Sequence, residues 1–414
     1  MLPTSAALYA AEPAPASPPP PPSSRRRGPI VCVTWLCVLL VGSRLFSGGH
    51  PPTSATVRTS SKLDLVFTLD VTGSMGSYID SAKENIEKIT SRLVSTSGQK
   101  YDLRFGLVAY RDHKPEDGTF VTKTFPFTSS VQAMRDALAS LKAQGGGDTP
   151  EAVGSALEAT LKHEWREDAT KIVILIADAP PHGLTTHGHD GFPNGEPNGV
   201  DPFEVLGRMA QRGITVYSVV AGGEAQTIAF FAAAAKRTNG QAVDLSSSSA
   251  AQLADVVVGA SVEEMDLEKM MPEVQKLTNE IRAEAAAKGA AEPTEVEMTK
   301  RVAAGLKAAG LKSRRTVIHA KVPEELARIA SSAASLAEAK SFFRDERATK
   351  SFAAYSDSIH VHALRSHRRG RSRSAAAPVG AAAVAKAVEV TDEDDVTEEA
   401  TSRAWRRGKE KHLY

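Results

Sequence analysis

The chain has 414 residues, of which 42% are apolar and 24% charged, the balance of a globular protein with enough material for a sizeable core. Its 50 basic and 49 acidic side chains leave a net charge of +1, which argues against a chain built wholly to grip nucleic acid or a membrane surface. The two cysteines, Cys32 and Cys37, share one hydrophobic segment, so the folded part has neither a disulfide nor a cysteine metal site.

Residues 1–29 are rich in Pro, Ala and Ser and end in Arg25–Arg27, a composition too poor in large apolar groups to fold. Residues 30–46 open with the apolar run IVCVTWLCVLLVG. That run is shorter than the ~20 apolar residues of a spanning helix. With arginines before it and small residues after it, it reads as a signal peptide or short membrane anchor, and the protein as secreted or membrane-anchored. An organellar presequence, or a cytoplasmic protein, is the alternative. Residues 47–61 are a linker.

From residue 62 to 262, strands and helices alternate. Leu63–Thr72 is a strand with an apolar run suited to burial on both faces, and Asp64 near its start is expected to be exposed. Tyr78–Leu93 has the period of a helix with one buried stripe. Leu103–Tyr110 and Thr119–Phe127 are strands joined by a loop short enough to imply antiparallel pairing. The helix Val131–Leu141 leads to a glycine loop, Gly145–Thr149, and to the helix Glu151–His163. Lys171–Ala179 is the most apolar strand and is placed at the centre. After the long loop Pro180–Val200 come a helix (Phe203–Gln211), a strand (Ile214–Val220), a helix (Ile228–Arg237), a strand (Gln241–Leu245) and a helix (Ala250–Val262). The alternation predicts an α/β fold: a doubly wound, mostly parallel six-stranded sheet with one antiparallel edge strand. Residues 263–362 read as a helical appendage with helices at Met265–Ala287, Val296–Ala309 and Pro323–Phe343. Residues 363–414, with basic, acidic and again basic blocks, read as a disordered charged tail.

The chemistry gathers at strand ends. Asp70, Thr72 and Ser74 lie two apart where the first strand ends. On their own they fit a divalent-cation site or an ordinary strand-to-helix turn with a hydroxyl cap equally well. The glycine loop and Asp178, which ends the central strand, reach the same carboxyl edge of the sheet, where open α/β folds bind ligands. Two or three carboxylates and as many hydroxyls then surround one point, and the metal reading gains weight. Arg111, Asp112 and His113 end the second strand on that edge and either line a partner surface or hold a loop together by an ion pair. His182, His187 and His189 sit in the long loop beside Asp190, where mobile surface histidines are the simpler reading and a transition-metal site the other.

These motifs, in this order, resemble von Willebrand factor type A domains. Asp70-Val-Thr72-Gly-Ser74 is similar to the D-x-S-x-S motif of their metal-ion-dependent adhesion site. GGGDTPEA (Gly145–Ala152) and IADAPPHG (Ile176–Gly183) resemble the loops that carry its threonine and its distal aspartate. YRDH (Tyr110–His113) and GFPNGEPNGVDP (Gly191–Pro202) add a likeness to the domains of hemicentin-like proteins and von Willebrand-type alpha-kinases. The resemblance implies metal ligands at Asp70, Thr72, Ser74 and Asp178. Asp148 comes first and Thr149 second for the glycine loop, where Gly147 falls at the family's threonine. It implies a non-enzymatic interaction module holding Mg²⁺, with Mn²⁺ or Ca²⁺ as alternatives, whose open position takes an acidic residue of a protein partner. Arg111, Asp112, His113 and His182 are the candidate partner-contacting residues. The rival is a regulatory or targeting part of an alpha-kinase-like system that lacks the catalytic domain. A metal hydrolase would need His113 or His182 as its base.

Overall fold

The computed structural model describes residues 62–76, 79–80, 102–184, 189–221, 225–244, 251–314, 316–318, 332–344, 388–390, 394–410 and 412–413. The segments 1–29, 30–46 and 47–61, almost all of the expected helix Tyr78–Leu93, and His187 lie outside them. Among the described residues no helix is long and apolar enough to cross a membrane.

Six strands make one sheet: β1 (Lys62–Asp70), β2 (Asp102–Tyr110), β3 (Thr122–Thr128), β4 (Thr170–Ala177), β5 (Ile214–Val220) and β6 (Ala242–Asp244). Their order is β3-β2-β1-β4-β5-β6, all parallel except β3, which pairs antiparallel with β2. The helices that follow are α1 (Val131–Ala139), α2 (Val153–Leu161), α3 (Pro202–Gln211), α4 (Ala225–Arg237) and α5 (Ala251–Ala287). The α/β fold with one antiparallel edge strand is therefore as the alternation of elements predicts.

The apolar strands have two destinations because successive side chains point to opposite faces. In β4, Ile172, Ile174 and Ile176 join Leu65, Phe67, Leu107 and the buried face of α1. Val173, Leu175 and Ala177 join Val66, Val108 and the helices α2, α3 and α4. Register fixes where the strands end. Asp70 pairs with Tyr110, and Leu69 with Ile176, so the loops after β1, β2 and β4 leave from one edge.

Asp64 departs from expectation. It is fully buried, and its carboxylate accepts from Arg104 Nε (2.9 Å) and Nη2 (2.7 Å) and from Arg166 N and Nε (both 2.9 Å). Burial raises its pKa, but these bonds outweigh burial and hold the carboxyl below its usual value. The polar residue within an apolar strand is thus the hub of a two-arginine clamp that binds β1, β2 and the segment before β4.

Two further differences lie after the sheet. The sequence suggests a break near residue 263, yet α5 runs unbroken for 37 residues, with Pro272 inside it. Its apolar stripe continues through Leu267, Met270, Met271 and Val274 onto the helices α6 (Glu295–Ala308) and α8 (Glu398–Glu410). Between them lie short pairings of β7 (Lys312–Ser313) with β10 (Asp394–Asp395) and of β8 (Thr316–Ile318) with β9 (Val388–Val390), and the helix α7 (Leu336–Arg344). The acidic-then-basic block expected to be solvated contains α8. Ala400, Ala404 and Trp405 of this helix are buried. Arg403 pairs with Glu263, and Arg407 pairs with Glu264 and donates to Thr215 Oγ1 (3.1 Å). Tyr217 Oη donates to Glu264 Oε1 (2.6 Å) from β5. The like-charge pattern misleads because its arginines are spaced four apart, on one helix face, opposite two buried glutamates.

Two outcomes test this packing. Asp64→Asn leaves two guanidinium groups half-compensated and is expected to cost about 3–5 kcal/mol in urea unfolding; an unchanged midpoint would contradict the clamp. His163 is buried against Phe127, at 5.1 Å between ring centroids, and burial pushes its pKa down to about 4. Its unfolded form takes up a proton near 6.5, so stability is full above that pH and is lost as pH falls towards 4. In a comparison of wild type with His163→Leu by thermal unfolding, that part of the acid sensitivity should disappear.

Candidate metal centre at the carboxyl edge of the sheet

The chain leaves β1 at Asp70 and turns through a short 3₁₀ segment, Gly73–Met75. Asp70 is fully buried. Its Oδ1 accepts from Thr72 N (2.9 Å) and Thr72 Oγ1 (2.6 Å), and Thr72 Oγ1 lies 3.5 Å from Ser74 Oγ. Ser74 in turn bonds Asp178, half-buried just beyond β4. One carboxylate, two hydroxyls and a second carboxylate are thereby linked from two loops. Burial, and then the charge of Asp178, push Asp70 up to about 7. Burial also raises Asp178.

The third loop brings in Glu151, which is not among the ligands expected from the sequence. Gly145 and Gly146 have φ of +84° and +86°, a backbone reserved in practice for glycine. A Cβ at Gly146 would meet Glu151 Oε1 at 2.8 Å and Thr72 Cβ at 3.5 Å, so the Glu151 carboxyl lies beside Thr72. Glu151 is buried, and its backbone N donates to Pro180 O (3.0 Å), tying it to the loop of Asp178. Burial first, then the charges of Asp70, Asp112, Asp148 and Asp178, push it up to about 11. Asp148, given first for this loop, is turned elsewhere: its Oδ2 accepts from Gly191 N (2.6 Å). Thr149, given second, is exposed. In the motif GGGDTPEA the glutamate lies two residues beyond Thr149, at the start of the expected helix Glu151–His163, and a match on the glycines does not reach it.

Several buried carboxylate oxygens here meet no donor: Asp70 Oδ2, Glu151 Oε2, Asp112 Oδ2 and Asp148 Oδ1. A buried, uncompensated carboxylate is costly, and pairing with a cation is the usual remedy. The all-oxygen set of Asp70, Thr72, Ser74, Glu151 and Asp178 suits a hard divalent ion.

The candidate partner-contacting residues occupy the interior instead. Arg111, Asp112, His113 and His182 are 3%, 0%, 8% and 1% exposed, which leaves almost no surface for a partner to touch. Arg111 donates to Thr119 Oγ1 (2.6 Å) and Lys142 O (2.8 Å) and stacks over Phe120, tying the β2–β3 loop to the loop after α1. His113 Nε2 lies 3.0 Å from Glu196 Oε2, and Glu196 also accepts from Ser155 N (3.0 Å) at the start of α2. His182 is no mobile surface histidine. Its Nε2 lies 2.7 Å from Asp112 Oδ1 and its Nδ1 2.8 Å from Asp190 Oδ1. Burial lowers its pKa, but the two carboxylates outweigh burial and push it up to about 9. Within the long loop, His182, Asp190 and Glu196 are therefore held by bonds to one another or to neighbouring loops.

Residues 64–256 match the family model of the von Willebrand factor type A domain. Among curated relatives, the alpha-protein kinase vwkA of Dictyostelium discoideum is 33% identical over 166 residues, covering 40% of this chain and 26% of the kinase. An ariadne-like RING finger protein, R811, of Acanthamoeba polyphaga mimivirus is 29% identical over 194 residues, covering 45% of this chain and 18% of that protein. The chain therefore spans about a quarter or less of the length of these relatives. Among solved structures, a von Willebrand factor type A protein from Catenulispora acidiphila aligns at 17% identity and a TM-score of 0.32, covering 50% of this chain and 43% of its own. The pilus adhesin SpaC from Lactobacillus rhamnosus GG aligns at 14% identity and a TM-score of 0.38, covering 50% and 31%. The sheet order, the linked Asp70–Thr72–Ser74 turn and the family match lead to one conclusion: residues 64–256 of this chain are a von Willebrand factor type A domain.

Proposed function

We propose that this domain is a metal-dependent protein-binding module. The observation that carries the reading is the pair of buried carboxylate oxygens without donors, Asp70 Oδ2 and Glu151 Oε2, on two residues that both lie close to Thr72. Asp70, Thr72, Ser74 and Asp178 hold the ion, with Glu151 supplying the ligand that Asp148 or Thr149 was expected to give. Mg²⁺ suits this oxygen-only set best, with Mn²⁺ or Ca²⁺ as alternatives. The bound ion supplies a positive centre with an open position for an anionic oxygen, here an acidic side chain of a protein partner. Such a contact is short, directional and charge-assisted.

No catalytic step belongs to this reading. Domains of this family are typically interaction modules without catalysis, and the two histidines a hydrolase would need are buried and engaged with carboxylates. A second reading rests on the likeness to vwkA: the chain serves as the regulatory or targeting part of an alpha-kinase-like system. Secretion or membrane anchoring through residues 30–46 stays a proposal that rests on their composition alone.

Calorimetric titration of the full chain with Mg²⁺, Mn²⁺ and Ca²⁺ tests the site. The full chain is the right object because a cut near residue 265 would sever α5. Binding of Mg²⁺ that is lost in Asp70→Ala supports the reading, and equal binding by both contradicts it. Ligands must shed protons to bind, and Asp70 titrates near 7. Glu151, held near 11, must shed its proton as well, so affinity should rise steeply as pH climbs towards 7 and go on rising, less steeply, above it. A flat profile from pH 5.5 to 8 would remove Asp70 from the ligand set.

A further inference from the structure

The loop after β4 holds a second constellation that the edge site does not use. Asp112 follows β2, Asp148 lies in the glycine loop and His182 follows β4. None of the three side chains is exposed. One ligand atom from each lies within 4.8 Å of the other two. Asp190 fixes the imidazole. Its Oδ1 accepts from Phe192 N (2.9 Å) and its Oδ2 from Gly183 N (2.8 Å), so it is a carboxylate held in place, with Oδ1 2.8 Å from His182 Nδ1. The Nδ1 proton is thereby committed to Asp190, and Nε2 faces Asp112 Oδ1. This is how metal-binding histidines are commonly oriented, with one ring nitrogen donating to a carboxylate and the other turned to the ion. The Phe192 ring packs edge-on against His182 at 4.9 Å and closes the site on one side.

The second observation is independent of the histidine. Asp112 Oδ2 and Asp148 Oδ1 are both buried without a donor. A proton on His182 Nε2 satisfies Asp112 Oδ1 alone and leaves these two oxygens uncompensated. A cation between the three residues compensates all of them. We propose that Asp112, Asp148 and His182 bind a divalent transition ion, of the Zn²⁺ or Mn²⁺ class, as a second ion beside the edge site. A mixed imidazole and carboxylate set favours such ions over Mg²⁺. When the ion enters, it takes the place of the Nε2 proton. His189, exposed, with Nδ1 4.0 Å from Asp148 Oδ2, marks the solvent side. The two proposed ligand sets share no residue: Asp70, Thr72, Ser74, Glu151 and Asp178 form one, and Asp112, Asp148 and His182 the other. The second ion joins the ends of β2 and β4 to the glycine loop, and so braces two of the three loops that shape the edge site, those that carry Asp178 and Glu151.

The test is metal stoichiometry. The full chain is stripped with chelator, dialysed against Zn²⁺ or Mn²⁺, and its bound metal counted by mass spectrometry. Wild type is expected to hold two ions, Asp70→Ala one, His182→Gln one, and the double variant none. An ion lost in His182→Gln but kept in Asp70→Ala supports this site even if the edge site proves empty. A wild type that holds the same number of ions as His182→Gln overturns it, whatever the result for Asp70→Ala. A folded wild type that binds neither metal overturns it as well. If His182→Gln fails to fold, Asp148→Asn takes its place under the same criteria, since it keeps the shape and removes the charge.

Discussion

The constraint on which the carboxyl edge depends is electrostatic. Five carboxylates, Asp70, Asp112, Asp148, Glu151 and Asp178, are drawn together by four loops, and four of them present buried oxygens that no donor meets. Burial and mutual repulsion hold Asp70 and Glu151 far above ordinary carboxyl values. Ionising these carboxyls within the fold is therefore unfavourable, and a proton or a cation relieves the cost. The contrast with the opposite end of β1 is instructive. Asp64 is as deeply buried, but two arginines satisfy it and its pKa falls. One end of the strand is internally balanced and structural. At the other, Asp70 Oδ2 is buried and meets no donor.

The architecture explains how such an edge is tolerated. The sheet has a core on each face, one against α1 and α5 and the other against α2, α3 and α4. Loops on a rigid scaffold can carry unfavourable groups because the free energy of the core holds them in place. The loop after β4 is braced further by Glu196 on His113 and Ser155, and by Asp190 on His182 and two backbone amides. Its histidines and carboxylates thus shape the site from behind. At the other end of the sheet, α8 is joined to α5 and β5 by Arg403 and Arg407 on Glu263 and Glu264. The last helix of the domain is continuous with the appended helices, so a shift of one would be felt by the other.

Much of this was legible in the sequence, for identifiable reasons. The strands were readable because burial on both faces demands unbroken apolar runs such as KIVILIA, and the antiparallel edge because its loop is short. The Asp70–Thr72–Ser74 turn was readable because its spacing is local. Glu151 was missed because its role depends on two glycines with positive φ folding the loop back, which no spacing rule reports. Asp64 was misplaced because its partners, Arg104 and Arg166, lie 40 and 102 residues away. His182 and Arg403 were read as solvated for the same reason: composition cannot see a partner brought in by the fold.

The measurement that tests the account most directly is thermal unfolding of the chelator-stripped full chain at pH 8, alongside Asp70→Asn, before and after Mg²⁺ is added. If a cation answers the buried charge, Mg²⁺ raises the wild-type midpoint and leaves the variant unmoved. The stripped variant, relieved of one repelling carboxylate, should then unfold at a higher temperature than stripped wild type. A wild type indifferent to Mg²⁺ and more stable than Asp70→Asn would mean that the carboxylate cluster is already balanced within the fold, and the central claim would fail.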